Sequence, residues 1–150
     1  MITFCLMTCG ELTERECLAA IKPFRDQIVL QEVRNVTPQI KALNQMLIQV
    51  ETPYLVPLDA DIVLNPDAFE RIDQAVRSHA DDPFWHSILF RLYDTLTEEN
   101  ILALKVMRTE IMQRHLFLDA PTPDVAHFRD LTQAGYTCVD KYLTEPVIGK

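Results

Sequence analysis

Three times before residue 80 the chain repeats one order: a short apolar run, a capping residue, then a segment with apolar residues at helical spacing. ITFCLMT, residues 2–8, is the first run, and Thr13 with Glu16 has the capping-box pattern that opens ERECLAAI. QIVLQE, residues 27–32, is the second. Thr37-Pro38 then reads as N-cap and N1 proline of QIKALNQMLIQV, where Ile40, Leu43, Met46, Leu47 and Val50 form one stripe. YLVPL is the third, and Asn65-Pro66-Asp67 starts AFERIDQAVRSH, with Phe69, Ile72, Ala75 and Val76 on one face. Repeated strand-helix units bury strands on both faces, which predicts an α/β fold: a three-layer α/β/α sandwich with a mainly parallel, Rossmann-like central sheet.

The second half is less regular. HSILFRLY, residues 86–93, alternates as a strand does, and ILALKVMR reads as another, because TEIMQRH then starts a fresh helix with Thr109 as its cap. PDVAHFRDLTQAG predicts a helix with Pro123 at N1 and Gly135 past its end, followed by a last strand in YTCVDKYL. A length of 150 residues without linkers or repeats fits one domain over residues 1–150.

A formal charge of −8 argues against a phosphate-backbone surface, so no nucleic-acid partner is expected. The four cysteines have no C-x-x-C pair, which points to reduced thiols and a cytoplasmic protein. No apolar run approaches the ~18 residues of a membrane span, and the first residues lack a basic leader.

The third strand ends in Asp59-Ala60-Asp61. With 12 aspartates, roughly one Asp-x-Asp arises by chance, so the pair alone decides nothing. Its position is informative, because ligands of open α/β sheets bind beyond the carboxyl ends of the strands. In extended backbone both carboxylates would share one side, a hard-oxygen set suited to Mg²⁺ or Mn²⁺ carrying a diphosphate. The competing reading is a loop whose aspartates cap the next helix and solvate the strand end.

The run ALNQMLIQVETPYLVPLDADIVLNPDAFERI resembles the donor-binding half of the family 2 glycosyltransferases, which have the GT-A fold. The resemblance lies in Ala42 and Asn44, Thr52 to Tyr54, Asp59 to Asp61, the apolar triplet Ile62 to Leu64, and Pro66-Asp67. It implies that Asp61 and Asp59 bind Mn²⁺ or Mg²⁺. It also implies that Thr8 lines the nucleotide pocket and that Glu32 contacts the nucleoside. Counting back from Gly135-Tyr136 maps Asp124 onto the catalytic base of inverting members, with Lys105 and Arg108 as phosphate or acceptor contacts. The implied partners are a UDP- or GDP-sugar donor and an acceptor hydroxyl, and the short chain leaves room for a homodimer to complete the site.

Some positions depart from the family pattern. Pro123 stands where an acid usually precedes the base, Pro38 replaces a glycine, and the stretch after Tyr136 carries no histidine. A non-catalytic module of the same fold is therefore a second reading, and Asp61→Ala separates the two through metal-dependent nucleotide binding. Nucleotidyl transfer is a third, although TCGELTER offers little of a glycine-rich basic phosphate loop.

Overall fold

The computed structural model describes residues 1–150, with the side chains of all but Lys141 and Leu143. Ile2–Thr8 forms β1, buried almost throughout because it has a parallel strand on each side. Those neighbours are β2, Ile28–Arg34, and β3, Tyr54–Asp59. Trp85–Asp94 forms β4, Glu99–Arg108 forms β5, and Thr137–Val139 forms β6, giving the sheet order β2-β1-β3-β5-β4-β6.

Only β5 runs against the others. The reason is local: Asp94 accepts hydrogen bonds from Leu96 N, Thr97 N and the Thr97 hydroxyl, and Glu98 takes a positive φ of 58°. That turn closes a hairpin, which forces its two strands antiparallel. The pairing of β3 with β5 spans Tyr54–Arg108 and Leu55–Met107 and stops before Pro57, which has no N–H to continue it.

Helices α1 (Glu14–Ile21) and α3 (Ala68–Ser78) cover one face of the sheet, where Phe4, Leu6, Val56, Leu58, Ile72 and Phe90 are buried together. Helices α2 (Gln39–Gln49), α4 (Thr109–Arg114) and α5 (Pro123–Gln133) serve the other, around Cys5, Leu43, Met46, Leu47, Leu55 and Met107. The stripe read from α2 packs as expected, and burying each such Leu or Met stabilises by about 1.5–3 kcal/mol. Cys5 and Cys17 are buried, and Cys9 is exposed in the loop after β1.

The element ends differ from expectation in several places. Thr13 occupies the N-cap of α1, but its backbone is helical (φ −81°, ψ −11°) and its side chain makes no capping bond. Pro38, joined to Thr37 by a cis peptide, is extended, so α2 starts at Gln39 with Pro38 as its N-cap. Thr109 is the first residue of α4 rather than its cap, donating its backbone N–H to Pro53 O. The last strand stops at Val139 because Asp140 turns helical at φ −111° and ψ −3°, leading into a 3-10 turn.

The closing segment ties two parts of the molecule together. Ile148 N donates to Arg91 O and Tyr93 N donates to Gly149 O, while Val63 and Lys150 exchange backbone hydrogen bonds. The residues just past Asp61 are thus joined to β4 through the tail.

Candidate active site

The carboxyl ends of β1, β2 and β3 enclose a cavity of about 200 Å³ whose wall includes Thr8, Glu11, Val33, Gln39 and Asp59. Register sets this: Met7 lies opposite Asp59 and Thr8 opposite Arg34. The buried Thr8 hydroxyl lies 2.7 Å from Glu11 Oε2 and 2.7 Å from Glu14 Oε2. Having one proton, it donates fully to one of them or is shared. Glu11 Oε2 also accepts from Cys9 N at 2.9 Å. The Thr8 hydroxyl, and at Glu14 first the Arg34 guanidinium, hold these carboxyls below their usual range.

The Asp-x-Asp pair is brought together by a turn rather than by extended backbone. Ile62 N donates to Asp59 O at 3.0 Å, Ala60 N donates to Met7 O, and Ala60 is packed into the core. Asp59 and Asp61 are left open to solvent. Partial desolvation by the cavity wall, at whose mouth the residue stays exposed, then the charge of Asp61, push the Asp59 carboxyl above its ordinary range; Lys105 opposes this, and Asp124 and Glu11 add to it. Beneath the turn the Cys17 thiol, in contact with Asp59 O, is pushed up to about 12 by burial and by Asp61, Glu14 and Asp59. It is an inert neutral thiol.

The second half of the site lies between β5 and α5. Lys105 Nζ donates to Asp124 Oδ1 at 2.9 Å and sits 5.8 Å and 5.6 Å from the ring centres of Phe117 and Phe128. Asp124, in the first turn of α5, remains 67% exposed, so an incoming group can reach it. Beside the pair opens a cavity of about 470 Å³.

Two expected residues lie elsewhere. Val33 lines the small cavity, so Glu32 points to the other side of the sheet, where it pairs with Arg34, itself bonded to Glu14 of α1. Arg108 sits at the far edge of the sheet, because β5 is reversed; it stacks 4.5 Å above Trp85 and donates to Asp82 O. Trp85 itself is wholly buried, its indole N–H donating to His79 O. Sequence reasoning missed Glu11, whose only signal was its place in the loop after β1. It also missed the aromatic frame of Phe117 and Phe128 around Lys105.

Among the described residues no group of three or more His, Cys, Asp or Glu is placed to hold a metal ion. Asp59 and Asp61 supply two hard oxygens whose mutual repulsion a cation would relieve. That donor set fits Mg²⁺ or Mn²⁺, which take one or two carboxylates and fill the rest of the shell with water and phosphate.

No protein-family model matches the chain, and no curated protein matches it. Solved structures do. The mannosyltransferase PcManGT of Pyrobaculum calidifontis, in complex with GDP-Man and Mn²⁺, superposes over 95% of this chain and 55% of its own, with TM-score 0.71 and 15% identity. The chain has the GT-A fold. S. aureus TarS 1-349 with UDP-GlcNAc matches 99% of this chain and 57% of its own, at TM-score 0.60 and 12% identity. The 2-C-methyl-D-erythritol 4-phosphate cytidylyltransferase of Thermus thermophilus matches 100% and 90%, at TM-score 0.59 and 10% identity. This GT-A chain thus spans little more than half the length of the two glycosyltransferases and nearly all of the cytidylyltransferase.

Proposed function

We propose that the chain is a small metal-dependent glycosyltransferase, moving a sugar from a UDP- or GDP-sugar to an acceptor hydroxyl with inversion. The observation that supports this reading is the Asp59–Asp61 turn at the carboxyl end of β3 on the wall of the small cavity, with the hydrogen-bonded Lys105–Asp124 pair beside a second cavity between β5 and α5. Inverting transfer needs a charge-stabilised leaving group on one side of the sugar and a base on the other, and the two pairs supply those functions.

Asp61 and Asp59 would hold Mn²⁺ or Mg²⁺, which when bound neutralises charge developing on the departing nucleoside diphosphate. Thr8 and the small cavity around it would hold the nucleoside. Asp124 would take the proton of the acceptor hydroxyl, worth roughly 10²–10⁴-fold. Lys105 fixes the direction of the Asp124 carboxylate through the 2.9 Å hydrogen bond. Glu32 and Arg108 receive no role, given where they lie.

Nucleotidyl transfer is the second reading, favoured by the near-complete overlap with the cytidylyltransferase. Against it, the loop after β1 and the first turn of α1 present Glu11 and Glu14 where a triphosphate would call for cations.

Calorimetric titration of UDP, GDP and CDP, with Mn²⁺ and then with EDTA, tests the proposal. Saturable binding is expected that needs Mn²⁺ and weakens by more than about tenfold in Asp61→Ala. Failure of all three nucleotides to bind the folded protein would leave a non-catalytic module of this fold as the better account.

A further inference from the structure

We infer that the acceptor carries its hydroxyl on an apolar body, held in the larger cavity beside Asp124; the inference rests on the transferase reading above. The cavity, about 470 Å³, is of the size that encloses a small organic molecule. Its walls include Leu89 from β4 and Leu102 from β5 with Val125 and Phe128 from α5, and among the described residues Lys105 and Asp124 are its only polar side chains. Those two already satisfy each other at 2.9 Å. A free saccharide brought there would bury several hydroxyls against hydrocarbon without partners, whereas a hydrocarbon body would lose nothing.

The geometry makes the chemistry continuous. Asp124 and Phe128 are four residues apart on α5 and therefore share a face, and Lys105 Nζ bridges them, bonded to one and lying 5.6 Å from the ring centre of the other. In the ladder of β4 with β5, Phe90 pairs with Leu104 and Arg91 with Leu102, so Ala103 is bulged out, and this small residue lines the cavity. At the rim Leu102 is 55% and Val125 64% exposed, apolar surface in water that an occupant would cover. One hydroxyl at Asp124, with carbon beyond it, matches this arrangement.

The test is titration of octan-1-ol, up to its solubility limit, and of glucose, followed by the methyl NMR signals of Leu and Val. Octan-1-ol is expected to shift Leu89, Leu102 and Val125 saturably, glucose to shift none, and Val125→Asp to weaken octan-1-ol at least tenfold. Val125 is exposed, so the variant should fold, shown by an unchanged thermal midpoint and unchanged nucleotide binding. Equal response to glucose, no methyl response to octan-1-ol, or a Val125→Asp titration like the wild type would each overturn the inference. Octan-1-ol binding is read without a donor, so a wild type that binds octan-1-ol but no nucleotide would sink the transferase reading separately.

Discussion

His86 shows how one buried side chain sets a pH limit on the molecule. It is fully enclosed, its Nδ1 lies 2.8 Å from the Ser87 hydroxyl, and its Nε2 has no hydrogen-bond partner among the described residues. Burial, then the neighbouring His127 and Lys105, push its pKa down to about 4 from 6.5. The unfolded chain therefore binds a proton below pH 6.5 that the native state refuses, and stability falls as pH drops from 6.5 to about 4, then levels. At ~1.4 kcal/mol per pKa unit this one group withdraws about 3 kcal/mol over that window. His127, lowered mainly by burial, acts in the same direction. His86→Gln cannot titrate there, so urea unfolding from pH 7.5 to 4 should show the gap between wild type and variant narrowing as the solution is acidified. A gap that stays constant would mean His86 is not held neutral by the fold.

Among the elements, α2 reaches the site through Asn44. Its side-chain amide donates to Phe117 O at 3.0 Å and its carbonyl accepts from Phe117 N at 2.8 Å, a reciprocal clamp on the segment leading to α5. Phe117 in turn lies under Lys105, the partner of Asp124. Asn44→Ala leaves both backbone groups of Phe117 unpaired in a part-buried place, an expected cost of about 1–3 kcal/mol in thermal or urea unfolding. An unchanged midpoint would show that water replaces the clamp fully. Asn44 was visible in the sequence only as a piece of a family pattern, because its contact spans 73 residues. The three strand-helix units were legible, since periods of 2 and 3.6 are local properties. The orientation of Glu32 was not, because alternation along QIVLQE groups residues by face without telling which face meets the cavity. Three residues along a strand separate Lys105 from Arg108 by about 10 Å, at ~3.4 Å per residue, and put them on opposite faces, and the reversal of β5 sends Arg108 to the end where β3 begins.

At the scale of the whole molecule, the tail ties the segment after Asp61 to β4, and it does so at Gly149. A Cβ there would meet Val63 O at 2.8 Å, Leu64 Cα at 3.1 Å and Leu92 Cδ2 at 3.1 Å. Val63 O and Leu64 Cα are backbone, unable to step aside without breaking the hydrogen bonds between Val63 and Lys150. Gly149→Ala must therefore expel the tail or shift the strand end that carries Asp61. Overpacking of this kind costs typically about 1–3 kcal/mol, and each kcal/mol lowers the thermal midpoint of a chain this size by roughly 2–4 °C. Midpoint loss alone would not locate the damage, so hydrogen exchange supplies the second readout. The amides of Val63 and Tyr93 donate to the tail, and their exchange should accelerate more than that of β1 amides, which are paired on both sides by strands. Uniform acceleration across the sheet would instead mean that the tail adds global stability without holding the Asp-x-Asp turn in place.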